Sequence, residues 1–193
     1  MSYIMEHLWP IPLYADICDN TDQIQKELDA VFPSIEFEPA PARWGRTHKL
    51  TDQTFTQDFL RHYNLKVLTD TIHHHLTNYC NELEFRMVDY QMQSWMTLNE
   101  PGSFARVHNH GVADISGCYY YRTNGEDGDI YFEPPTPFFT NSPCFYNKYR
   151  KSWQHSPKVG KIIIFPGWLD HGVWENNTDQ NRYSVAFNIT FRR

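Results

Sequence analysis

Four side chains frame the chemistry open to this sequence: His108 and His110 in "RVHNHGVADISGCYYYR", His171 in "IIIFPGWLDHGVWEN", and Arg182 opening "RYSVAFNITF". Residues two apart on extended backbone project to the same face, so His108 and His110 can aim at one point. His171 follows an apolar run that ends at Pro166 and Gly167, as a strand does when it runs into a tight turn. Imidazole suits Fe, Cu, Ni and Zn, and a facial set of three leaves coordination positions open. Alone, the HxH pair is weak evidence of a metal site, and hydrogen-bonded histidines at a strand end are the commoner case. Arg182 adds weight, because a lone guanidinium in an apolar strand is costly. No acid lies beside it in sequence, so a bound carboxylate is its natural partner.

Other residues carry a blander reading. His73, His74 and His75 are consecutive on a helical pattern, where neighbours point about 100° apart and cannot converge on one ion; a solvated face is expected. Trp95, Trp168 and Trp174 are read as core aromatics, and Asp170 as a turn residue or a support for His171. Asn188, polar within "AFNI", is either a neighbour of the site or a satisfied core amide. Cys18, Cys80, Cys118 and Cys144 lack CxxC spacing and are read as free thiols.

The elements that must position these residues change period along the chain. "NTDQIQKELDAVF" places Ile24, Leu28 and Val31 on one helical face behind Asn20 or Thr21 as cap, predicting a helix over about 21–32. The proline-containing stretch that follows reads as an irregular connection. An apolar stripe from Phe59 to Leu83 predicts a long amphipathic helix with a break near Asn64. From residue 86 the period falls to two. "YQMQSWMTL", "ISGCYYYR", "DIYFE", "KIIIFP" and "RYSVAFNITF" read as strands separated by turn signals such as Asn124-Gly125. The expected fold is mainly β, a jelly roll or double-stranded β-helix over 86–193, with helices of residues 1–85 packed on the sheet in a single domain. The aromatic loop from Pro134 to Pro157 is long enough to act as a lid or recognition surface.

Composition narrows the partners. A chain of 193 residues that is 40% hydrophobic can bury one good core. A net charge of -6 without clustered Lys and Arg argues against nucleic acid. No apolar run reaches a membrane span and the N-terminus lacks signal-peptide features, so a soluble cytoplasmic protein is expected. Its aromatic content of 16% is compatible with a homodimer.

In combination, "HxH … ISGCYYY … GDIYFEPP … GKIIIFPGWLDHGVWEN … RYSVAFNI" resembles the 2-oxoglutarate/Fe(II)-dependent oxygenases of the prolyl-hydroxylase-like superfamily, in a branch found in bacteria and phages. The resemblance covers residues 90–191 in motif detail. It implies a double-stranded β-helix, Fe(II) at His108, His110 and His171, and 2-oxoglutarate as co-substrate. The co-substrate's far carboxylate would pair with Arg182 and Ser184, with Tyr120 against it. The implied reaction hydroxylates a small molecule or protein while 2-oxoglutarate becomes succinate and CO2. The superfamily's usual motif is His-x-Asp, and here His110 stands in place of the acid. Three ligand sets follow: the three histidines, two histidines with Asp114, or two histidines with water. Two other classes stay open on the residues alone: a cupin-like three-histidine metalloenzyme without 2-oxoglutarate, and a non-catalytic jelly-roll binding or structural protein.

Overall fold

A computed structural model describes residues 10–41, 48–52, 58–135 and 153–192 of the chain. Among these described residues, eleven strands and three α-helices follow in order. β1 (Tyr14–Ile17), α1 (Thr21–Val31), β2 (Glu38–Pro39), β3 (His48–Leu50), α2 (Phe59–His62) and α3 (Lys66–Glu82) precede the β-rich part. There follow β4 (Tyr90–Asn99), β5 (Ala105–His108), β6 (Ile115–Arg122), β7 (Ile130–Phe132), β8 (Trp153–His155), β9 (Lys161–Pro166), β10 (His171–Val173) and β11 (Arg182–Phe191).

The strands form two antiparallel sheets. The larger runs β1-β9-β6-β11-β4-β3-β2 and the smaller β5-β10-β7-β8. From β4 onward, strands 4, 6, 9 and 11 enter the larger sheet and 5, 7, 8 and 10 the smaller. Such interleaving defines a double-stranded β-helix, as expected from the sequence. The N-terminal part departs from expectation. β1, β2 and β3 extend the larger sheet at both edges, so this region is not only helices and irregular connections.

Alternation along the central strands separates two environments. Met96, Val185, Phe187, Ile189, Ile115, Tyr119, Tyr121, Ile162 and Ile164 face outward and pack with Ile24 and Leu28 of α1 and with Leu68, Ile72, Leu76 and Tyr79 of α3. The opposite face carries the row His48, Asn99 and Arg182, the row Thr97, Ser184 and Tyr120, and the row Trp95, Ala186, Cys118 and Ile163. Tyr120, Ile163 and Phe165 pack there against Ile130 and Phe132 of the smaller sheet and Leu169.

The break near Asn64 is real. Asn64 adopts φ +52°, a left-handed conformation that ends α2, and Leu65 N–H donates to Leu60 O at 2.9 Å. α3 then starts without a cap of its own. Glu27 of α1 serves instead, its carboxylate accepting from Val67 N at 2.7 Å and Leu68 N at 2.9 Å. The histidine triplet is split: His73 and His74 are exposed, but His75 is buried with Nδ1 at 2.8 Å from Tyr14 Oη. The solvated-face expectation fails for His75 because β1 crosses that face. Cys18, Cys80 and Cys118 are free thiols; Cys144 and most of the Pro134–Pro157 loop lie outside the described residues. Among the described residues no helix is long and apolar enough to cross a membrane.

Gly117 of β6 sits where helix-facing side chains crowd the sheet. A Cβ there would lie 2.4 Å from Phe187 Cζ and 2.6 Å from Ile163 O. Gly117→Ala should therefore lower stability by about 1–3 kcal/mol. The check is a reduced urea midpoint with an unchanged slope; an unshifted midpoint would contradict the packing.

Candidate metal centre and co-substrate pocket

The smaller sheet brings the predicted ligands together. β10 pairs antiparallel with β5 so that His171 stands opposite His108, and on its other side opposite Phe132. His110 follows β5 and is fixed by its own backbone: its N–H donates to Gly167 O at 2.9 Å, and Gly167 N–H donates to Asp114 O at 3.1 Å. The approach is so close that a Cβ on Gly167 would lie 2.2 Å from Ala113 O, which explains glycine there. Asn109 Nδ2 donates to Asp170 Oδ1 at 2.7 Å, tying the two ligand-bearing loops together.

His108, His110 and His171 each offer one ligand atom, all within 4.8 Å of one another. Ring centroids are 4.5 Å apart for His108 and His171, 5.1 Å for His110 and His171, and 5.3 Å for His108 and His110. Outer partners set the ring orientations. His108 Nδ1 lies 2.7 Å from Arg106 O and His171 Nδ1 lies 2.9 Å from Leu169 O. A carbonyl only accepts, so both Nδ1 atoms carry the proton and both Nε2 atoms present lone pairs. His110 Nδ1 lies 3.2 Å from Asn188 Nδ2, and Trp95 packs beside its ring with centroids 5.8 Å apart. Burial holds all three imidazoles toward the neutral, ligating form; His110 is lowered to about 4 by burial and then by His108, and His171 lies well below the ordinary value.

Asp114 is not part of this cluster of ligand atoms. Its carboxylate accepts from Phe191 N at 2.8 Å and the residue is exposed, so the side chain is engaged at the end of β11. Trp95 is buried as expected, whereas Trp168 and Trp174 are 51% and 48% exposed, against the core reading. Trp174 instead stacks on Tyr131 at 4.1 Å between centroids. With Val107 and Val112, also exposed beside the ligand histidines, Trp168 gives the ligand-bearing loops an apolar outer surface.

Arg182 is 2% exposed. Its Nη1 donates to Asp127 O at 2.8 Å and to Gly128 O, and lies 3.9 Å from Asp127 Oδ1. The guanidinium is thus not a lone charge, as its sequence neighbourhood suggested. An acid more than fifty positions earlier stands near it. Asp127 nevertheless directs its carboxylate into its own turn, accepting from Thr123 Oγ1 at 2.7 Å and Asn124 N at 2.9 Å. Arg182 Nε remains buried without a partner. An orphaned donor of this kind fits an anionic ligand, since an unsatisfied buried group is costly. Ser184 and Tyr120 stand opposite each other in register on the same face, both buried.

Sequence reasoning missed His48. It is 5% exposed, engages the Phe104 backbone, and has an unpartnered Nδ1. Burial, with His108 and Arg182 adding to it, lowers it to about 4. The three-residue β3 is too short to show a period, and only its register opposite Asn99 brings His48 to this face.

Comparison with known proteins agrees with this geometry. A family model described as "Putative 2OG-Fe(II) oxygenase" matches residues 93–188, which includes all three histidines and Arg182. The chain belongs to the 2OG-Fe(II) oxygenase family. No curated protein matches it. Among solved structures, a Pseudomonas putida prolyl-4-hydroxylase is 14% identical, with 94% of each chain covered and a TM-score of 0.63. A Trichoplax adhaerens prolyl hydroxylase, solved with a hypoxia inducible factor peptide, is 13% identical over 93% of this chain and 83% of that one, with a TM-score of 0.65. HygX from Streptomyces hygroscopicus, solved with nickel, 2-oxoglutarate and hygromycin B, is 10% identical over 95% and 86%, with a TM-score of 0.66. At these identities the likeness is one of fold.

The neutral histidines make an acid-stability prediction. An unfolded histidine titrates near its ordinary 6.5, whereas His48 and His110 are lowered to about 4. Between those values the unfolded chain binds more protons, so the folded state loses stability as pH falls through that window. The thermal midpoint of the metal-free protein should drop between about pH 6.5 and about pH 4, and His48→Gln should make the decline shallower. A variant with the wild-type pH slope would contradict the burial of His48.

Proposed function

We propose that the chain is an Fe(II)- and 2-oxoglutarate-dependent oxygenase that hydroxylates an organic substrate, with His108, His110 and His171 holding the metal and Arg182, Ser184 and Tyr120 holding the co-substrate. The observation that carries this reading is the convergence of three neutral imidazoles on one point, with Nδ1 of His108 and of His171 turned outward to a carbonyl. The donor set fits iron(II), since imidazole is among its common ligands. When bound, iron and 2-oxoglutarate supply the oxidising chemistry, with succinate and CO2 as co-products.

The residues of the chain supply position and exclusion. Arg182 Nε offers a charge-assisted hydrogen bond to a carboxylate from a site already closed on its other side by the Asp127 and Gly128 carbonyls. Ser184 adds a hydroxyl on the same face, and Tyr120 stays protonated because burial raises it well above its ordinary value, so its hydroxyl remains a donor. Phe132, Phe165 and Leu169 form the dry wall beside His171, with Phe165 and His171 centroids 4.7 Å apart. A dry wall strengthens each polar contact inside it and keeps bulk water from the reacting centre.

The reading is tested anaerobically by adding Fe(II) and then 2-oxoglutarate and recording the metal-to-ligand charge-transfer absorption. Wild type should develop the band and His171→Ala should not. Arg182→Ala should bind 2-oxoglutarate about 10- to 100-fold more weakly, the range of a lost charge-assisted hydrogen bond. Without a band in wild type, the cupin-like and non-catalytic alternatives take over. An unchanged co-substrate affinity in Arg182→Ala would show that Asp127 is the arginine's working partner.

A further inference from the structure

Two of the three imidazoles have no choice of tautomer, because each Nδ1 faces a carbonyl. His110 differs. Its Nδ1 faces the side-chain amide of Asn188 at 3.2 Å, and Asn188 Oδ1 accepts from Ser116 Oγ at 2.8 Å. An amide nitrogen only donates, so in this arrangement His110 Nδ1 accepts and the ring proton sits on Nε2. Nε2 then has no lone pair to give a metal. A half-turn of the Asn188 amide keeps both contacts and exchanges the roles. Oδ1 then accepts from His110 Nδ1–H, Nδ2 donates to Ser116 Oγ, and Nε2 becomes a ligand.

The surroundings admit both states. Ser116 is 1% exposed, and its hydroxyl can donate or accept with equal ease. Asn188 and Ser116 stand opposite each other on β11 and β6, on the face that carries Trp95 and Arg182, so the amide is held at the ring in either orientation. A carboxylate in the place of His110 would coordinate without any such choice. A histidine there adds a proton whose location must be set.

We propose that Asn188, backed by Ser116, is the positioning residue that makes His110 a metal ligand, so that one amide orientation gives a site of two imidazoles and the other a site of three. The inference rests on the metal centre proposed above, and the test separates the two. Metal-free protein is titrated with Co(II), followed by visible absorption, and with Cu(II), followed by its EPR hyperfine pattern; circular dichroism monitors the fold.

Asn188→Leu should weaken Co(II) binding about 10- to 100-fold, the usual cost of losing an outer-shell partner, and should move the Cu(II) pattern to that of His110→Ala. Asn188→Asp, whose carboxylate accepts only, should bind Co(II) at least as tightly as wild type with the wild-type Cu(II) pattern. In a His110→Ala background Asn188→Asp should change nothing, which distinguishes action through the ring from a general charge effect. Wild-type affinity in a folded Asn188→Leu, or weakened binding in Asn188→Asp, would overturn the proposal while leaving the metal centre standing. If Asn188→Leu does not fold, the Asp variant and its double mutant decide the question alone. Absence of any Co(II) spectrum in wild type would overturn the metal centre and the proposal with it.

Discussion

The pairing of β11 between β4 and β6 is the constraint from which the rest follows. Its ten-residue register commits alternate side chains to opposite sides, so Val185, Phe187 and Ile189 go to the helices while Arg182, Ser184 and Asn188 go to the site. A slip of one residue would bury the arginine among α1 and α3 and expose the apolar set to the pocket. The same strand therefore fixes the core and delivers both the buried Arg182 guanidinium and the amide that faces His110. Stability and chemistry are not separable in β11.

Charge in the pocket is managed by burial. The three histidines are held neutral because burial penalises their protonation. Two carbonyls and a buried aspartate stand at Arg182 Nη1, while Nε is a buried donor without a partner. Such an arrangement favours ligands that complete hydrogen bonds over ligands that merely carry opposite charge.

Long, strongly alternating segments were legible from the sequence: β6, β9 and β11 match expectation residue for residue, and β4 nearly so. The convergence of the three histidines was legible because His108 and His110 share a strand end and His171 follows an apolar strand. What was not legible depends on partners distant in sequence. β1, β2, β3, β5, β8 and β10 have two to four residues each and hold their form through pairing, with no period of their own. Asp127 approaches Arg182 only when the turn after β6 folds back, and His75 is buried only because β1 crosses it. His48 carries no motif, and its place in the pocket follows from β3 adding to the edge of β4. Trp168 reads as core by composition, yet the turn that brings His171 into the site turns it outward.

The helical layer carries a consequence of its own. The first N–H groups of α3 are satisfied by Glu27, some forty positions earlier in the chain, with no cap beside them. An isolated α3 would start with those donors unpaired, so the helix gains its full stability only once α1 has docked. The two helices thus order together as one cooperative unit, and a loss of α1 would be felt at the first turn of the helix that packs on the central strands of the larger sheet.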